Sequence, residues 1–179
     1  GWKISSTRSW GAPRRCSRLA GGSSWRTRRG VPASTTPGRG RGDAAAALLG
    51  ASVVLTDVDE ALPVVKRRVD GVAVPNVTVA ALDWRGGVGG LAADVVLAAD
   101  VVWVEDLVEP FVGCAAALLA DGGRLLLAHQ TRSTAVDDAL FEALARRGLA
   151  FSEVPRADLA PDFRPDHIRV FEVVRGGVG

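Results

Sequence analysis

Cysteine is scarce: Cys16 and Cys114 are the only two in 179 residues. Two so widely spaced make neither a disulfide framework nor a thiolate metal cluster, and Cys114, in an apolar stretch, reads as a small core residue. Long apolar runs are missing as well. The richest stretch is interrupted by Asp94, Asp100, Glu105 and Asp106, so nothing reaches the roughly 18 residues of a membrane span. The first residues lack the apolar centre of a secretory signal. The expectation is a soluble chain in a reducing compartment, the cytoplasm, with no membrane partner. The two histidines, His129 and His167, have no metal-ligand spacing, so no metal is expected and both read as ordinary polar residues.

Acidic residues are absent from the first 42 positions, which hold ten of the 22 Lys and Arg residues. The remainder carries twelve basic against twenty acidic residues, a net charge of −8, hidden within the overall +2. Residues 1–42 are also poor in aliphatics and rich in Ser, Arg, Gly and Pro. Such a segment buries too little surface to offset its ordering entropy. It reads as a basic arm, disordered or the product of a shifted reading frame, although Trp2, Trp10 and Trp25 are unusual for disorder. An acidic body opposes nucleic acid as a partner. Residues 43–179 are long enough for one domain with its own core.

From Asp43 the pattern is regular. Asp43 can cap a short helix over 44–49, ended by Gly50. Apolar or β-branched runs predict strands at 52–56, 76–82, 94–99, 124–129, 149–154 and 168–174. Helices are predicted at 59–69, with Pro63 near its start, at 107–119, closed by Asp121-Gly122-Gly123, and at 134–147, ended by Gly148. Strands alternating with helices imply a parallel α/β sheet. The last two strands have no helix between them, which predicts a terminal antiparallel hairpin.

Several blocks, taken in order, resemble the seven-strand (class I) S-adenosylmethionine-dependent methyltransferases, in particular the methyltransferase-like protein-lysine N-methyltransferases. They are AAALLGASVVLTD (45–57), VAALDW (79–84), DVVLAADVVWVED (94–106), RLLLAHQTR (124–132) and DFRPDHIRVFEVV (162–174). The third is similar to that family's strand followed by Ala-Asp-x-x-Tyr, with Trp103 in place of the tyrosine. The resemblance implies a Rossmann-like seven-strand sheet and S-adenosyl-L-methionine as cofactor. It also implies a protein substrate, of the chaperone or ATPase kind, and a monomeric enzyme.

On that resemblance Asp57, ending the second strand, would accept the ribose hydroxyls. Asp83 and Trp84 would meet the adenine, and Ala99 would give the cofactor room. Asp100 would fix the incoming amine and Trp103 would line the lysine channel. Bland roles compete: Asp57 as a helix-entry cap, Trp84 at a domain edge, Asp100 capping a strand end, Trp103 packing the surface.

The family's opening strand and Glu-x-Gly-x-Gly-x-Gly loop are degenerate or missing. Only Gly38 and Gly40 align with that loop, where a flexible basic linker reads equally well. The alternative is therefore a catalytically impaired remnant acting as a binding module. A nicotinamide-dependent oxidoreductase fits less well, since the chain has no Tyr for a Tyr-x-x-x-Lys pair. A nucleic-acid binder would have to rely on the arm alone.

Overall fold

A computed structural model of the chain describes residues 2–6, 47, 50–71, 76–160 and 166–176. In chain order its elements are β1 (Trp2–Ser6), β2 (Val53–Asp57), α1 (Leu62–Asp70), β3 (Val77–Ala81), β4 (Ala93–Ala99), α2 (Val108–Leu118), β5 (Leu119–His129), α3 (Thr134–Arg146), β6 (Leu149–Glu153) and β7 (Arg169–Arg175). Short 3-10 turns precede α1 at Asp59–Ala61 and α2 at Glu105–Leu107. The helix expected at 44–49 is described only at Ala47, which is helical and buried.

The strands form one sheet in the order β3-β2-β1-β4-β5-β7-β6. The pair β2–β3 is parallel, as is β4–β5. The pairs β5–β7 and β6–β7 are antiparallel, giving the terminal hairpin that the sequence predicts. The central strand differs from expectation. Residues 2–6, assigned to the arm, lie between β2 and β4 and run antiparallel to both. Two facing strands with unpaired N–H and C=O groups must find a partner, and this short segment supplies it. Gly38 and Gly40 fall outside the described residues.

Both faces of the sheet are covered. On one, Val53 and Leu55 of β2 bury with Val65 of α1 and with Ala47. On the other, alternate residues Leu125, Leu127, Phe171 and Val173 meet α2 and α3 through Phe111, Val112, Leu140 and Leu144. Leu125, Leu127, Leu140 and Leu144 are fully buried, and removing such a side chain from water stabilises by about 1.5–3 kcal/mol. Cys114 is buried in α2. Strand β5 begins five residues earlier than its apolar run predicts. The Asp121-Gly122-Gly123 segment, expected to close the preceding helix, lies inside the strand, because only glycine lets Gly123 pass the Ala93 and Ala120 carbonyl oxygens, 2.9 Å from where a Cβ would stand.

Candidate functional site

Strands β2 and β4 both oppose β1 and so run parallel to each other. Their C-terminal ends, with that of β3, share one sheet edge. Parallel α/β sheets bind ligands at this edge, where loops leave the rigid strands. Asp57 ends β2, Asp83 and Trp84 follow β3, and Ala99 ends β4, so the sequence-predicted cofactor residues within the described chain gather here. The Leu82 N–H donates to the Asp57 carbonyl at 2.9 Å and ties two of these strand ends together.

Asp57 is half-buried. Its Oδ1 accepts the Val58 N–H at 2.9 Å, which fixes the carboxylate against the turn that leads into α1. Asp83 is exposed, and its Oδ1 accepts the Arg85 N–H at 3.0 Å. Trp84 packs edge-on against Phe111, with centroids 5.3 Å apart and planes at 64°. That contact sets the indole beside the apolar core, where it lines a small recess with Thr56, Leu82 and Cys114. Ala99, the last residue of β4, is exposed.

Beyond Ala99 the backbone turns sharply. Asp100 has φ +50°, a left-handed conformation costly for a residue with a Cβ. Its N–H donates to the Ala128 carbonyl at 2.9 Å. Val101 and Val102 are then completely buried, whereas Trp103 is 51% exposed and Val104 45%. Two buried valines thus pin the loop and project Asp100 and the indole outward on either side.

One oxygen of the Asp100 carboxylate is engaged. Arg132 Nη2 donates to Asp100 Oδ2 at 2.7 Å, with side-chain exposures of 44% and 51%. Arg132 lies in the turn between β5 and α3, which is fastened on both sides. Thr131 Oγ1 donates to Asp137 Oδ2 at 2.7 Å, and Ser133 caps α3 by accepting the Val136 N–H at 3.2 Å. His129, the last residue of β5, is 1% exposed and bonds through Nε2 to Asp137 Oδ1 at 2.8 Å. The reading of His129 as an ordinary polar residue is therefore corrected: it is a buried strut. His167 is exposed. Burial pushes the Asp137 carboxyl up, but the hydrogen bonds from His129 and Thr131 outweigh it and hold the group below its usual range.

Arg132 and the His129–Asp137 pair were not legible as site residues. The Arg132–Asp100 contact joins positions 32 apart, and no local pattern announces it. The nearest signal is the end of the apolar block RLLLAH, which places the following polar residues at the ligand edge.

No curated protein sequence matches the chain. Among solved structures, a TehB-like S-adenosylmethionine-dependent methyltransferase from Corynebacterium glutamicum aligns at 21% identity and TM-score 0.59, covering 77% of this chain and 76% of its own. A ribosomal protein L11 methylase from Lactobacillus delbrueckii aligns at 14% and 0.57, covering 77% and 66%. A methyltransferase from Pyrococcus furiosus aligns at 16% and 0.51, covering 68% and 61%. The chain thus spans about three fifths to three quarters of the length of these proteins. Residues 41–147, more than half of the chain, match a protein family described as lysine methyltransferase. The chain belongs to that family and has the class I methyltransferase fold, for which the cofactor is S-adenosylmethionine.

Proposed function

We propose that this chain is an S-adenosylmethionine-dependent methyltransferase acting on the side-chain amine of a protein lysine. The observation that carries the reading is the gathering of Asp57, Asp83, Ala99 and Asp100 at one sheet edge, within the span that matches the lysine methyltransferases. The donor set suits a nucleoside. With Oδ1 engaged by Val58, Asp57 keeps Oδ2 to accept ribose hydroxyls. Asp83 and Trp84 would meet the adenine, and Ala99 adds no bulk at the end of β4. Gly38 and Gly40, which align with the family's glycine loop, are the further cofactor residues that the resemblance implies.

The bound cofactor supplies a methyl group on a sulfonium, activated for in-line displacement. The protein's task is then positioning and exclusion of water rather than covalent chemistry. Asp100 would hold the target ammonium by charge-assisted hydrogen bonding until it loses its proton, and the exposed Trp103 would wall the channel. The absence of a hydroxyl at position 103 leaves positioning to Asp100 alone. The setting we infer is a cytoplasmic monomer that modifies a chaperone or ATPase. The test is transfer of labelled methyl from S-adenosylmethionine to a cell lysate, read by lysine-specific mass spectrometry. Label on protein lysine supports the reading, and label on nucleic acid or small molecules overturns it.

One observation favours a second reading. Because β1 runs antiparallel, Trp2 rather than Ser6 lies beside Ala99. Ser6, the C-terminal end of β1, therefore lies at the opposite sheet edge from Asp57 and Ala99. A non-catalytic binding module on the same fold would follow. Calorimetry separates the two, since a micromolar dissociation constant for S-adenosylmethionine favours the enzyme and no measurable heat favours the module.

A further inference from the structure

We infer that Arg132 is an intramolecular stand-in for the substrate cation, a latch that competes with a lysine ammonium for Asp100. The inference rests on Asp100 being the amine anchor of the proposed reaction. Asp100 projects at the ligand edge from a left-handed backbone position, a strained geometry that surrounding structure must hold in place. Val101 and Val102, both completely buried, do so. The carboxylate thus presented meets a guanidinium at 2.7 Å. A guanidinium and an ammonium make the same kind of charge-assisted contact to a carboxylate, so the two cations compete for the charge of one carboxylate, whose Oδ2 Arg132 already holds.

The latch is built to release its side chain without moving its backbone. Thr131 is tied to Asp137, and Asp137 is tied in turn to the buried His129. On the other side Ser133 caps α3. The Arg132 side chain is 44% exposed, so its guanidinium can swing into water with little desolvation to reverse. Exposed ion pairs are weak, and displacement lowers substrate affinity only about two- to fivefold. That is enough to reject weak ligands while leaving a cation with further contacts able to enter. A neutral side chain has no need to displace Arg132, so the latch lowers affinity for the cationic side chain alone and narrows its advantage over a neutral one by the same factor.

The test uses the full chain and two probe peptides, Gly-Gly-Lys-Gly-Gly with blocked ends and its norleucine counterpart, titrated while the Trp103 indole N–H resonance is followed. Arg132→Ala is expected to bind the lysine peptide about two- to fivefold more tightly and the norleucine peptide unchanged. Arg132→Lys, which keeps a competing cation, should resemble the parent. Asp100→Asn should remove the preference for lysine over norleucine. If Asp100→Asn removes that preference but Arg132→Ala binds lysine no more tightly than the parent, the latch is overturned and the amine anchor survives. If neither the parent nor Arg132→Ala distinguishes the peptides, the anchor is overturned and the latch with it.

Discussion

Replacing Asp137 by alanine strips the buried His129 of its ring partner. In the parent, Nε2 bonds to Asp137 at 2.8 Å, while Nδ1 is buried without a hydrogen-bond partner among the described residues. The variant leaves both ring nitrogens unpartnered at 1% exposure. An unsatisfied buried polar group costs about 1–3 kcal/mol. A carboxylate in the first turn of α3 also favours the helix dipole by about 0.3–1 kcal/mol. Together these predict a loss of roughly 1.5–4 kcal/mol in urea denaturation at pH 7. Combining Asp137→Ala with His129→Leu should return most of it, since replacing both partners of a hydrogen bond by apolar groups is nearly neutral. The same carboxyl, lowered by folding, contributes stability that is whole above its unfolded-state pKa of about 3.9. That stability is lost as the pH falls through the lower folded-state value. Asp137→Asn should therefore flatten the acid limb below about pH 4. A loss under about 0.5 kcal/mol for Asp137→Ala, or strictly additive losses in the double variant, would refute the strut.

Other substitutions probe the remaining parts. Asp57→Ala should weaken S-adenosylmethionine binding by about 1.5–3 kcal/mol, the range for hydrogen bonds involving a charged group, as measured by calorimetry. Gly123→Ala must push a Cβ against two backbone oxygens 2.9 Å away, so a loss of about 1–3 kcal/mol is expected in thermal or urea unfolding. Deleting residues 1–6 bares the facing edges of β2 and β4, and size-exclusion chromatography should then show self-association.

The parts of the fold readable in the sequence are those set by local pattern. The apolar run at 52–56 becomes β2 with its bounds shifted by one residue, because β-branched residues suit a strand buried on both faces. Gly148, at φ +66°, ends α3 as expected of a residue free to adopt that conformation. The Asp57, Asp83 and Ala99 positions were legible for the same reason, since each ends or follows a strand and strand ends converge on one edge. What escaped is non-local. Residues 2–6, WKISS, carry only one aliphatic residue, and their place depends on two strands some fifty to ninety residues away. The early start of β5 depends on the backbone of Ala93, and the engagement of Asp100 on a side chain beyond the next strand.

Methyl transfer and cofactor affinity measured side by side for the parent and Asp100→Ala test the central claim most directly. Asp100 would touch the substrate amine and not the nucleoside. The account therefore predicts lysine-borne label from the parent, little or none from Asp100→Ala, and the same dissociation constant for S-adenosylmethionine in both. Equal transfer rates, or a parent that binds the cofactor and leaves lysine unlabelled, would contradict it.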